Sequence, residues 1–216
     1  RIKSVQQSTA FNRCSAPKNP LQRPGVISIA FWLPIISVAI LYLARILELR
    51  ANRKTSPGEV REKTTFRLFL VSGNLLLIGA VTEYLIQDLT LHWPSFVAGC
   101  GVAAAAFAIR RAAIKALGRF WSLHIEIRDN HEFVQSGPFR WARHPAYLSM
   151  ILELLAVALI LDVYLAFSAI GLLFLPTLWF RLKWEESALI EKFGEAYRVY
   201  QRETPALIPY KPPRPK

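Results

Sequence analysis

Five apolar stretches constrain this chain more than any other feature: Val26 to Ala44, Phe66 to Ile86, Trp93 to Ile109, Tyr147 to Leu161 and Tyr164 to Leu182. A bilayer core needs about 20 mostly apolar residues of helix. The first two stretches have that length; the third and fourth are shorter, and the fourth gains if its helix begins near His144. The alternative to lipid is one very large core, and 216 residues are too few to bury five such runs in it. An apolar content of 53% and a mean hydropathy of +0.26 exceed what an average soluble domain carries. Only Asp162-Val163 separates the last two stretches, which predicts a tight antiparallel hairpin. The expected fold is therefore all-α, an integral membrane helical bundle of about five transmembrane helices with a helical cytosolic C-terminal segment.

Lys and Arg orient such a bundle. Seven lie between Arg45 and Arg67, seven between Arg110 and Tyr147 and eight after Phe180, whereas Gln87 to His92 and Asp162-Val163 hold none. The basic connections and the C-terminus are expected on the cytosolic side. Residues 1–25 conflict with this, because five spans place them outside although they carry five basic residues. A re-entrant first segment bent at Pro34, or translocation of the tail despite its charge, would resolve the conflict. The tail precedes any acidic residue; a basic disordered flank is favoured over an organellar transit peptide. The net charge of +12 sits largely in juxtamembrane loops, where anionic lipid is the simpler partner, and this argues against nucleic acid. Cys14 and Cys100 lie in the tail and inside a span, so no metal signature or disulfide is expected.

The chemistry gathers at the ends of the hairpin. Arg143-His144-Pro145-Ala146-Tyr147 stands at its beginning and Lys183-Trp184-Glu185-Glu186 at its end. Charges are costly near lipid, so a basic pair and an acidic pair at such a boundary suggest a site for a cationic cofactor. Flanking positive charge is the plain alternative for a single Arg, and the interfacial aromatic belt is the plain alternative for Tyr147 and for Trp93, Trp121, Trp179 and Trp184. Pro145 disfavours helix at His144 and suits a first helical turn, so the helix should start there, with Arg143 and His144 at its mouth. Free N–H groups at that N-terminus would suit a carboxylate.

The full ordered set runs Leu117-Gly118-Arg119-Phe120-Trp121-Ser122, His131, Ser136-Gly137-Pro138-Phe139-Arg140-Trp141, the Arg143 block, Glu185-Glu186, Phe193-Gly194-Glu195-Ala196-Tyr197-Arg198-Val199-Tyr200 and Leu207-Ile208-Pro209. In this order it resembles the isoprenylcysteine carboxyl methyltransferase family of integral membrane enzymes, over roughly residues 117 to 209. The resemblance implies S-adenosylmethionine as methyl donor, held between the membrane helices and a cytosolic C-terminal segment that closes over it. On this reading residues 1–25 are a tail, 26–109 the first three helices and 110–216 the catalytic region. The implied cofactor residues are His131, His144, Pro145, Tyr147, Glu185, Glu186, Tyr197, Leu207 and Pro209, with Glu186 weighted above Glu185; no metal is implied.

Methyl transfer from a sulfonium to a carboxylate is an in-line displacement, and the acceptor is already ionised near pH 7. The site must align the reactants and exclude water rather than supply a base. Arg143, Arg140 and Arg181 are the candidates to orient the acceptor's carboxylate, and acidic side chains suit the donor's ammonium and ribose diol. Apolar positions Leu189, Ile190, Phe193, Tyr197 and Tyr200 recur at helical spacing and predict an amphipathic helix, interrupted or bent at Gly194.

Two positions depart from the family's pattern. Ser149 stands where Gly is usual, and Glu153 lies within the fourth span, one turn away on the same face. A carboxyl group there needs a partner or a cavity. The favoured reading is a neutral Glu153 bonded to Ser149; contact with a polar part of the substrate is the other, and Asn74 and Glu83 are possible partners. The leading function is transfer to the carboxylate of a lipid-like acceptor, by default a prenylated cysteine of a protein, in the endoplasmic reticulum of a eukaryote or the inner membrane of a bacterium. A phospholipid or small-amine N-methyltransferase, or a non-catalytic membrane scaffold, are the alternatives; Lys183-Trp184-Glu185-Glu186-Ser187 argues against a nicotinamide-dependent sterol reductase.

Overall fold

The computed structural model describes residues 29–50, 59–62, 64–87, 91–118, 125–127 and 134–212. Lipid offers no hydrogen bonds, so an apolar run satisfies its own backbone only as helix, and the chain is helical accordingly. The elements are α1 (Ile29–Arg50), β1 (Glu59–Glu62), α2 (Thr64–Ile86), α3 (Trp93–Leu117), β2 (Ile125–Ile127), a short 3-10 helix (Gly137–Arg140), α4 (Pro145–Leu161), α5 (Leu165–Phe193) and α6 (Glu195–Glu203). Among the described residues, Ile29–Glu48, Arg67–Ile86 and Trp93–Leu117 are long and apolar enough to cross a membrane, and α4 is a shorter apolar helix of 17 residues. The fifth apolar stretch forms the first part of α5 and is continuous with the acidic pair.

The sequence reading omitted a two-stranded sheet. β1 and β2 pair antiparallel, Glu59 opposite Ile127 and Val60 opposite Glu126, and so tie the α1–α2 connection to the α3–α4 connection. α3 also runs past Ile109 to Leu117, so the expected boundary at residue 110 falls inside a helix.

Helix contacts decide what the site is built on. α4 packs chiefly on α3 and α5 chiefly on α2, while α4 and α5 touch little. The expected hairpin thus turns tightly at Asp162, and towards its other end the two helices meet through side chains, Tyr147 with Arg181 and Glu185. Asp162 takes the left-handed conformation (φ 55°) that ends α4, and the Val163 N–H returns to the Ala158 carbonyl at 3.0 Å. Small residues permit the α3–α4 contact: Gly99, Ala103, Ala106 and Ala113 are buried on α3, and small side chains let membrane helices approach closely. At Gly99 an added Cβ would lie 2.8 Å from both the backbone N and Cγ1 of Ile160. Phe31, Val38, Ala80, Tyr84, Val157, Ile160 and Leu161 form the core shared by α1, α2 and α4. There the Tyr84 hydroxyl donates to the Phe31 carbonyl at 2.9 Å, so its burial leaves no orphaned polar group.

Candidate cofactor and substrate site

Pro145 occupies the first turn of α4 and His144 is its N-cap, with φ −124° and ψ 60°. The two residues before Pro145 stay outside the helix, and their N–H groups face a neighbouring strand of chain. Arg143 N donates to the Pro205 carbonyl and His144 N to the Ala206 carbonyl, each at 2.9 Å. These amides are therefore occupied by the chain's own tail rather than open to a carboxylate ligand.

Arg143 draws α5 and α6 to the same point. Its Nε and Nη2 lie 2.8 and 2.7 Å from Glu186 Oε1, and its Nη1 donates to the Gln201 carbonyl at 2.9 Å and to the Thr204 carbonyl. His144 Nε2 lies 3.1 Å from the same carboxylate oxygen, and Gln201 Nε2 donates to Glu186 Oε2 at 3.1 Å. Burial alone would raise the Glu186 pKa. The hydrogen bond and charge of His144, then the charge and hydrogen bond of Arg143, outweigh it and hold the carboxyl at about 2.

A second chain of contacts begins one residue earlier. Glu185 Oε2 accepts from the Tyr147 hydroxyl at 2.5 Å, and Arg181 Nε donates to the same hydroxyl oxygen at 3.0 Å. The His144 ring stacks on Tyr147 at 5.6 Å, and its Nδ1 is 3.8 Å from Glu185 Oε1. Glu185 keeps 32% of its side chain exposed, against 6% for Glu186. Glu186 thus meets three internal side-chain partners, and Glu185 is the more open carboxylate of the two. Arg143 likewise has each guanidinium nitrogen engaged within the fold, by Glu186 and by the Gln201 and Thr204 carbonyls.

Gly194 (φ 57°) ends α5, and α6 continues from Glu195 at an angle, placing Tyr197 and Tyr200 in the interior at 2% exposure each. Burial, then the carboxylates Glu186 and Glu185, push the Tyr197 hydroxyl far above its ordinary value. The Tyr200 hydroxyl donates to the Phe139 carbonyl at 2.6 Å and so fixes the 3-10 helix that Arg140 closes, half-buried. Leu207 packs with Ala206 on the cluster of Phe69, Tyr147, Met150, Phe174, Leu178 and Leu182, whereas Pro209 is exposed. His131 lies outside the described residues.

The expected Ser149–Glu153 unit does not form. Ser149, fully buried, donates to the Ala146 carbonyl at 2.7 Å, and Glu153 forms an ion pair with Arg110 Nη1 across the α3–α4 contact. The physical reason is charge: a carboxylate gains more from a buried guanidinium than from a hydroxyl that already has a backbone acceptor. Asn74 and Glu83 also have other partners, the Tyr42 hydroxyl at 2.7 Å and the Leu165 N–H at 3.2 Å. Sequence reading missed Gln201, Thr204, Pro205 and Ala206, which contribute mainly carbonyls that no side-chain motif announces. It also missed Arg110, which looked like a flanking charge at the end of an apolar run.

The donor set fits a cationic methyl donor at the open side of Glu185. A partly exposed carboxylate beside an aromatic pair can accept from an ammonium or a ribose diol, and Arg181 and Tyr147 stand within reach to hold an anion.

Residues 98–191 match the sequence model of the isoprenylcysteine carboxyl methyltransferase (ICMT) family. The chain is similar to "Uncharacterized protein YpbQ" of Bacillus subtilis (strain 168), 26% identical over 172 residues that make up 74% of this chain and 97% of that one. It is also similar to the Mus musculus protein-S-isoprenylcysteine O-methyltransferase, 30% identical over 108 residues, 47% of this chain and 37% of the mouse enzyme. The solved structure of the eukaryotic intramembrane Ras methyltransferase ICMT superposes with a TM-score of 0.53 at 23% identity, covering 83% of this chain and 62% of that one, which shows the fold. This chain thus spans about two fifths of the mouse enzyme's length.

Proposed function

We propose, from the match of residues 98–191 to the sequence model of the isoprenylcysteine carboxyl methyltransferase family, that the chain transfers a methyl group from S-adenosylmethionine to the carboxylate of a lipid-like acceptor, by default a prenylated cysteine. The observation that carries this reading is the Arg181–Tyr147–Glu185 chain, an anchored cation and a partly open carboxylate bridged by one hydroxyl at the membrane-helix ends. When bound, the cofactor supplies a methyl group already activated by its sulfonium. Glu185 accepts from the cofactor's polar groups, and His144 and Tyr147 offer stacked ring faces beside it. Arg181, only 3% exposed and reached from the apolar cluster of α2, α4 and α5, orients the acceptor carboxylate and offsets part of its desolvation. Arg143 and Glu186 fix the tail across the mouth and keep bulk water from the reacting atoms. Residues 1–25, 26–109 and 110–216 remain the proposed division into tail, helical support and catalytic region. Multi-pass placement with the site facing the cytosol, in the endoplasmic reticulum or the bacterial inner membrane, belongs to the same proposal.

The test uses detergent-purified protein, labelled S-adenosylmethionine and a panel of prenylcysteine, fatty-acid and aminophospholipid acceptors. Base-labile label on the prenylcysteine is the expected result, because methyl esters hydrolyse in base and methylamines do not. Tyr147→Phe should lower turnover about tenfold or more, since it removes a hydrogen bond to a charged group worth about 1.5–3 kcal/mol. Base-stable label on the aminophospholipid would move the assignment to N-methylation, and no label on any acceptor would remove it.

A further inference from the structure

A second charged cluster lies away from the site. Arg110, 1% exposed on α3, reaches two carboxylates from different helices: its Nε is 2.5 Å from Glu48 Oε2 on α1, and its Nη1 pairs with Glu153 on α4. Arg45, one turn before Glu48, is 3.4 Å from the same Glu48 oxygen. Two cations and two anions thus balance where α1, α3 and α4 meet. A guanidinium suits this position because its separate nitrogens meet two carboxylates at once, which an ammonium cannot do in a fixed geometry.

The placement of Glu153 gives the cluster its consequence. Glu153 and the buried Ser149 share one face of α4, toward α3, whereas Tyr147, Ile151 and Leu154 pack with the cluster that includes α2 and α5. At the far end of the helix, Ile160 is pressed against Gly99. α4 is therefore held on α3 at two points about two turns apart, by steric contact at Ile160 and by charge at Glu153. Two such points fix both rotation and axial register. Arg143 and His144 follow directly from that register, since they precede the first turn of α4 and must meet the Pro205 and Ala206 carbonyls.

We propose that Arg110 is a positioning residue: by bridging Glu48 and Glu153 it couples α1 to α4 and sets the register that brings Arg143, His144 and Tyr147 onto Glu185 and Glu186. The inference uses the site's geometry, and its link to turnover rests on the proposed methyl transfer. Deleting one partner of a buried ion pair leaves an uncompensated charge, whereas replacing both by apolar side chains is often neutral for stability. The decisive variant is accordingly Arg110→Met/Glu153→Met, which leaves Glu48 paired with Arg45, with Arg110→Lys beside it.

Hydrogen exchange of the peptide covering residues 143–148, read by mass spectrometry in detergent, is the measurement that does not depend on activity. The double variant should keep a melting temperature within a few degrees of the parent while exchange at 143–148 quickens about tenfold or more. Arg110→Lys should fall between the two. Parental protection at 143–148 in a double variant that melts normally would overturn the proposal, as would a loss of protection spread evenly over all helices. With the acceptor panel, kcat should fall with cofactor affinity reduced by a smaller factor; unchanged kcat would equally overturn it. If the parent methylates no acceptor, the functional reading fails, and the exchange experiment still decides the role of Arg110.

Discussion

Glu186 has three side-chain partners, Arg143, His144 and Gln201, and almost no contact with solvent. Its folded pKa of about 2 lies below the ordinary 4.5, so its ionised form is bound preferentially by the folded chain. The contribution is complete above pH 4.5 and is lost as pH falls from there towards 2, on the order of 3 kcal/mol in all. Thermal melts in detergent across that window should show the acid-dependent loss in the parent and a shallower one in Glu186→Gln, whose melting temperature is already lower at pH 7. Equal slopes would show that another group governs the acid limb. The presence of charged chemistry here was legible, because clustered Arg, His and Glu at the edge of apolar runs are costly without a purpose. Which charge does what was not. Glu185 and Glu186 are adjacent in sequence and differ only in what the fold puts beside them, and the carbonyls of Gln201 and Thr204 carry no side-chain signature.

At the scale of elements, hydropathy located the apolar runs, Pro145 marked the start of α4, and Asp162 and Gly194 marked breaks that backbone conformation requires. It misplaced the end of α3, since Arg110 reads as a boundary unless its partners on α1 and α4 are known. β1, Glu-Val-Arg-Glu, is too short and too charged to signal a strand, and its pairing depends on a segment more than 60 residues away. Glycine spacing on α3 gives a paired expectation. Gly99→Leu drives a side chain into Ile160 and should destabilise the protein by about 1–3 kcal/mol. Gly101→Ala, with nothing within 4 Å of the added Cβ, should be neutral or gain up to about 1 kcal/mol from helix propensity. Melting temperatures of the two variants would test the α3–α4 contact, and equal values would contradict it.

At the scale of the whole molecule, two clusters of buried charge stand apart among the described residues, one closing the site and one joining α1, α3 and α4. The first depends on the last described stretch of chain. A protein ending at Glu203 lacks the carbonyls of Thr204, Pro205 and Ala206 and the Leu207 contact; two backbone hydrogen bonds alone are worth about 1–3 kcal/mol together. It should melt several degrees lower and bind S-adenosylmethionine more weakly, as calorimetry would show, whereas a chain ending at Pro212 should match the parent. Residues 204–207 also follow α1 to α6 in chain order, and translation runs in that order. While residues 204–207 are still inside the ribosome, the earlier helices can already be seated in lipid, yet Arg143 has no strip of backbone to hold. The pocket is therefore finished after the membrane bundle, and a nascent chain that has inserted but not cleared residue 207 occupies the bilayer without yet having a closed site.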